Sequence, residues 1–232
     1  MKRGSPPAAR GLRMGEPSMN QKTRTSKTNR YFLMGFACVA AAALFFALRA
    51  HASSSEEIPK LAELMGWKPG TVVADVGAGD GSYAFAAAER VGATGKVFAT
   101  EIDSDKLKAL RAEVKKRNLQ NVVVIESGEA ETNLPAACCD AIYLRRVYHH
   151  LTKPLEFDAS LLRSLKPGGK LAIIDFPPHP EYGLVKGVPK DREGHGIVQK
   201  ILIDELGRAG FQSEKIVNDW PSNNYCVLFV RK

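Results

Sequence analysis

The segment Asp75-Val76-Gly77-Ala78-Gly79-Asp80-Gly81 sets three glycines at alternate positions behind an acidic residue. Glycine has no Cβ, so a ligand can lie against such a backbone, and a helix opening near Ser82 offers free N–H groups to an anion. Twenty residues past Gly81 stands Glu101, followed by Ile102 and Asp103; a carboxylate at that distance meets the vicinal hydroxyls of a ribose. The spacing is G-x-G-x-G, not the G-x-G-x-x-G of dinucleotide binders, which argues against a nicotinamide-dependent oxidoreductase. Further along, Tyr148, His149 and His150 follow one apolar run, Asp175 ends another, and His195 stands between Gly194 and Gly196. His149 and His195 are the candidate general bases, with Tyr148 a third catalytic candidate. Packing or helix capping is the rival role for Tyr148 to His150, and a solvated surface loop is the rival for His195. Phe176-Pro177-Pro178-His179-Pro180 reads as a rigid connection whose rings can floor an apolar pocket.

These residues need elements to hold them. A short helical pattern over Ile58 to Met65 leads through the turn Trp67-Lys68-Pro69-Gly70 to a β-branched run, Thr71 to Val76, and then to an Ala-rich helix, Ser82 to Val91. The period repeats with a strand at Lys96 to Thr100, a helix from Ser104 (its N-cap) to Asn118, and an apolar run at Val122 to Ile125. A fourth strand covers Cys139 to Leu144, a helix Pro154 to Leu165, and a fifth strand Lys170 to Phe176 after the turn Lys166-Pro167-Gly168-Gly169. After a last helix, Val198 to Ala209, two strand patterns (Phe211 to Asn218 and Tyr225 to Arg231) lie too close for a crossover helix and must pair antiparallel. The expected fold is α/β: a Rossmann-like, seven-stranded, mostly parallel sheet with helices on both faces and a C-terminal antiparallel hairpin. In such a sheet ligands bind outside the carboxyl ends of the strands, so the first, second and fourth strand tips decide function.

At this point the chain resembles the class I methyltransferases that use S-adenosylmethionine, and more closely their small-molecule branch, described as type 11 or UbiE-like. The matching motifs are VVADVGAGDG (Val72 to Gly81), VFATEIDSDKL (Val97 to Leu107), SGEAE (Ser127 to Glu131), CDAIYLRRVYHHL (Cys139 to Leu151) and LKPGGKLAIIDF (Leu165 to Phe176). The resemblance implies S-adenosylmethionine as cofactor, with Gly77, Ala78, Gly79 and Gly81 along its methionine part and Asp75 near its amino group. Glu101 would hold both ribose hydroxyls, with Ile102 beside it. Glu129 stands where the family usually has an aspartate facing the adenine amino group, and Arg145 begins the segment under the sulfonium, where a basic residue departs from the pattern. No Asn-Pro-Pro-Tyr type tetrad follows the fourth strand, so a small or lipophilic acceptor is expected rather than nucleic acid.

Composition agrees with one enzyme-sized domain behind a tail. The chain has 232 residues and a formal charge of +8. Eight Lys/Arg against the single acid Glu16 give residues 1–30 a charge of +7, which leaves +8 − 7 = +1 for the rest, so nothing steers a polyanion to the folded part. Residues 1–30 form a basic, disordered tail by composition. Residues 31–52 hold an uncharged run over 31–48 and then Ala50-His51-Ala52, which together read as a hydrophobic helix serving as transmembrane anchor or cleaved signal peptide. The domain proper is then 53–232. The expected location is membrane-anchored or exported, with the domain on the far side of the membrane by the positive-inside rule. The rival class is an exported or membrane-tethered module of the same fold that no longer catalyses. Cys38, Cys138, Cys139 and Cys226 lack metal-ligand spacing, and no metal site is expected.

Overall fold

The computed structural model describes residues 56–192 and 194–232. The basic tail, the apolar segment with its expected hydrophobic helix, and the membrane contact through 31–48 lie outside the described residues. Among the described residues, no helix is long and apolar enough to cross a membrane.

A helix over residues 56–65 (α1) leads to β1 (Val72–Val76). The chain then alternates through α2 (Ser82–Val91), β2 (Lys96–Glu101), α3 (Ser104–Lys116), β3 (Val122–Glu126) and β4 (Cys139–Arg145). A 3-10 turn, Tyr148–His150, precedes α4 (Pro154–Ser164) and β5 (Leu165–Asp175). A second, Pro180–Tyr182, lies in the loop before α5 (Gln199–Ala209), and β6 (Phe211–Trp220) and β7 (Asn224–Arg231) close the chain. The strands form one seven-stranded sheet in the order β3-β2-β1-β4-β5-β7-β6. β1 to β5 run parallel, and β7 is antiparallel to both of its neighbours.

Strand residues alternate between two cores, as the period of two demands. Val73, Tyr143 and Ile174 face one cluster with α1 and α2, whereas Ala74, Leu144 and Ile173 face another with α4 and α5. Asp75 and Arg145 therefore share the α1 face with Tyr143. The sheet order reverses between β1 and β4, so the crevice opens at their carboxyl ends, where the glycine turn and the residues after Arg145 meet.

Three local expectations are corrected. The N-cap of α3 is Asp103, not Ser104: its carboxylate accepts from the Asp105 and Lys106 N–H groups at 2.9 and 3.0 Å, one residue earlier than the serine suggests. The expected turn at Lys166-Pro167-Gly168-Gly169 is absorbed into β5, whose register with β4 shifts between Cys139 and Ala141. Asp140 in that irregularity holds it closed, accepting from Lys166 Nζ at 2.6 Å and from the Val72 N–H at 2.8 Å. The β6–β7 connection is three residues, 221–223, because Asp219–Trp220 and Asn224 extend the strands beyond the sequence pattern.

Candidate active site

The glycine turn is set by its neighbours. Gly77 and Ala78 donate to the Thr100 carbonyl at 3.0 and 2.8 Å, tying the turn to the end of β2. Gly81 has φ +81°, and a Cβ there would come within 2.5 Å of Leu110 and Phe85, so only glycine lets the chain turn into α2 at this point. One of the N–H groups at the start of α2, that of Ser82, is already taken by the Asp80 carboxylate at 3.0 Å. Glu101 lies under the turn and accepts from the N–H groups of Gly79, Ile102 and Asp103 at 2.9, 2.8 and 3.1 Å. Ile102 projects beside it, 53% exposed, an unusual place for a branched apolar side chain.

Asp75 is buried, and its Oδ2 has no hydrogen-bond partner. Burial, together with the nearby carboxylates of Asp80 and Glu101, pushes its carboxyl up to about 7, against the lowering effect of Tyr143 and Arg145. An orphaned carboxylate oxygen beside a glycine turn fits a cationic amino group, which would supply the missing donor. Glu129 is placed in the loop after β3, its side chain 63% exposed and 3.5 Å from Lys153.

Arg145 ends β4 at this mouth, but its side chain turns to α1. Its guanidinium makes a two-point pair with Glu57 at 2.9 and 3.0 Å and lies 4.6 Å over the Tyr83 ring. Glu57, fully buried, also accepts from Trp220 Nε1 at 2.8 Å. The basic residue that departs from the family pattern is thus a strut whose charge Glu57 offsets, and sequence reasoning missed Glu57 because it lies 88 residues away.

Of the three candidate catalytic residues, the structure brings two together. Asp175, fully buried, accepts from His149 Nδ1 at 2.8 Å, from the His149 N–H at 3.2 Å and from the Phe176 N–H at 3.0 Å. With the Nδ1 proton directed at a carboxylate, His149 turns the lone pair of Nε2 outward, and His195 Nε2 stands 3.2 Å from it. His195 is held by the loop: its carbonyl accepts from the His179 N–H at 2.8 Å, and its ring stacks on Phe176 at 5.9 Å. His150 completes the group, its ring centroid 4.0 Å from that of His149. Desolvation, and then the neighbouring imidazoles, push His150 down to about 4 and lower His195 as well.

Tyr148 is removed from the catalytic candidates. It is fully buried, and its hydroxyl lies between Asp158 at 2.8 Å and Glu205 at 3.0 Å, on the α4 and α5 side. A 3-10 turn rotates about 120° per residue, so adjacent side chains cannot share one direction. Burial first, and then the two carboxyls, raise its phenol well above the usual range, which keeps it protonated.

Beside the histidines, at the carboxyl ends of β4 and β5, is a cavity of about 500 Å³ lined by Arg146, Phe176, His179, Tyr182, His195 and the β6–β7 turn. The Phe176–Pro180 stretch thus floors a pocket as its rings suggest. Arg146 was not singled out by sequence; it has φ +55°, donates to Asn224 Oδ1 and the Ser222 carbonyl at 2.9 Å each, and lies 5.3 Å over the Phe176 ring.

Comparison with known proteins agrees with this geometry. Residues 74–173 match the model of a methyltransferase domain. The chain is 33% identical over 115 residues to the chloroplastic 2-phytyl-1,4-beta-naphthoquinone methyltransferase of Arabidopsis thaliana, covering 48% of this chain and 44% of that protein. It is 31% identical over 113 residues to a demethylmenaquinone methyltransferase of Listeria monocytogenes, covering 49% and 48%. The chain spans about half the length of these curated relatives. A crystal structure of a SAM-dependent methyltransferase from Aquifex aeolicus superposes with a TM-score of 0.64 at 28% identity, over 75% of this chain and 89% of that one. The sheet order and the glycine turn are thus those of a methyltransferase-like fold, and the matched stretch 74–173 carries β1, the glycine turn, Glu101 and most of β5. The curated relatives also include a ubiquinone/menaquinone biosynthesis C-methyltransferase UbiE of Pseudomonas putida, 30% identical over 115 residues, covering 49% of this chain and 45% of that protein.

Proposed function

We propose that the protein transfers the methyl group of S-adenosylmethionine to a small, ring-bearing lipophilic acceptor of the quinone or quinol class. The observation that carries this reading is the pairing of a cofactor mouth, with Asp75 Oδ2 unpartnered and Glu101 beneath the glycine turn, with an aromatic-lined cavity along the same sheet edge. The quinone relatives support the acceptor class. Bound cofactor supplies an electrophilic methyl group on a sulfonium. The protein's task is alignment and exclusion of water, since in-line displacement disperses charge. Asp75 and Glu101 fix the donor, Phe176 and Tyr182 offer ring surface to the acceptor, and His195, backed by His149 at 3.2 Å, brings its ring to the cavity wall to orient an acceptor oxygen. The intact cofactor mouth favours this reading over an exported or tethered non-catalytic module.

The uncharged run over 31–48, flanked by the basic tail, supports delivery of the domain to a membrane, anchored or exported, where a lipophilic acceptor is concentrated.

Isothermal titration of the full chain with S-adenosylmethionine and S-adenosylhomocysteine tests the core of the proposal. Micromolar binding is expected, and Glu101→Ala should weaken it about ten-fold or more, the cost of a lost charge-assisted diol contact. Failure of the folded protein to bind either ligand would favour the non-catalytic module.

A further inference from the structure

The cofactor mouth leaves one cluster unused. His149, His150 and His195 bring three imidazole donor atoms within 4.8 Å of one another, and His195 lines the acceptor cavity. Two nitrogen ligands at about 2.0–2.1 Å from a tetrahedral zinc ion stand about 3.3 Å apart. The 3.2 Å between His149 Nε2 and His195 Nε2 matches that chord. His149 also has the outer partner that zinc-bound histidines usually have: its other nitrogen donates to the fully buried Asp175, which fixes the ring so that Nε2 points into the cluster. Asp175 is itself held by two backbone N–H groups. His150 is exposed, so its ring is free to rotate the remaining distance. The loop that carries His195 is fixed against Phe176 and His179 by two backbone hydrogen bonds of 3.0 and 2.8 Å.

We propose that His149, His150 and His195 bind one divalent transition-metal ion of the zinc class, with Asp175 as the positioning residue behind His149 and a fourth position open to the cavity. Three histidines with an open position make a catalytic type of zinc site, not a closed structural one. Such an ion would ligate an oxygen of the acceptor; a hydroxyl bound there would release its proton to solvent and keep its electron pair for reaction. This acceptor role rests on the methyltransferase reading, whereas the metal site itself does not.

The test uses untagged full-length protein stripped of metal by a chelator and titrated with Co2+ and Zn2+. One Co2+ per chain is expected, with the visible absorption of a four- or five-coordinate ion, displaced by Zn2+. His150→Ala and His195→Ala, at exposed and half-buried positions that spare the core, should each weaken Zn2+ binding at least about ten-fold, and Asp175→Asn about 10–100-fold. His179→Ala lines the same cavity without belonging to the cluster, and should change Zn2+ affinity by no more than about two-fold. The proposal is overturned if the protein takes up less than one ion, if Co2+ keeps the pale spectrum of an octahedral aqua ion, or if His195→Ala and His150→Ala leave affinity unchanged. In that event His149 and His195 share an ordinary imidazole hydrogen bond. Calorimetry with S-adenosylmethionine on the same samples separates the two readings. Cofactor binding without metal binding defeats only the metal site, and metal binding without cofactor binding defeats only the methyltransferase reading.

Discussion

On the proposed function, Asp75 should make cofactor affinity depend on pH. Burial pushes its carboxyl up to about 7, so toward lower pH the group is increasingly neutral and offers less charge to an ammonium. Affinity for S-adenosylmethionine should rise as pH increases from 6 to 8, by up to about ten-fold per unit below the pKa. Asp75→Asn should bind more weakly at pH 8 and lose this dependence; calorimetry at several pH values reads both effects. A second residue-scale prediction concerns Gly196, which has φ +117° and where a Cβ would lie 2.6 Å from the Pro177 carbonyl oxygen. Gly196→Ala should cost about 1–3 kcal/mol locally and displace His195. The acceptor KM should rise while cofactor affinity measured by calorimetry stays unchanged, because the cofactor mouth is made elsewhere.

Two networks tie elements together, and each has a measurable cost. One hydroxyl hydrogen on Tyr148 cannot serve both Asp158 and Glu205, so one of these carboxyls must hold a proton. Arg192 pairs with Glu205 at 3.0 and 3.2 Å, which leaves Asp158 as the protonated partner, its carboxyl pushed up to about 7 chiefly by burial. A carboxyl whose folded pKa is raised stabilises the fold below its unfolded value of 3.8, and that contribution is lost as pH rises through about 7. Thermal unfolding of the unliganded protein should therefore show falling stability from pH 5 to about pH 7, and Asp158→Asn, which keeps shape and a donor, should reduce that slope, the rest coming from Asp75. The second network is Glu57 with Arg145 and Trp220. Glu57→Ala removes the acceptor from a buried pair and should destabilise by about 3–5 kcal/mol in denaturant unfolding. The elements themselves were legible in sequence because β-branched runs and helical periods alternate cleanly from Val72 to Ala209. The meeting of the glycine turn with Glu101 was legible too, since Asp75 to Glu101 lie on adjacent strand tips within about 30 positions. What sequence could not show was direction and distance. Tyr148 and His149 are neighbours in sequence, yet Tyr148 packs into the core with α4 and α5 while His149 turns to Asp175, and Glu57 reaches Arg145 only through the docking of α1. His195 joins His149 from a Gly- and Pro-punctuated loop with no periodicity to place it.

Across the whole molecule, charge and hydrophobicity are concentrated at one end of the chain. The +7 of residues 1–30 and the apolar run over 31–48 should make the full chain float with lipid vesicles. Deleting 31–48 should abolish flotation on neutral vesicles, while neutralising the basic residues should reduce only the salt-sensitive part on anionic ones. The division of labour within the folded part runs along the chain as well. The residues proposed to address the methyl donor lie within 75–129, and the lining of the cavity proposed for the acceptor comes from 146 onward, largely from the 176–197 loop and the three-residue β6–β7 turn. On the proposed function, heritable change in that later stretch would alter which molecule is methylated without disturbing how the donor is held. A lineage built on this chain is thus free to diversify its chemistry of recognition by loop replacement, keeping one inherited engine for many products.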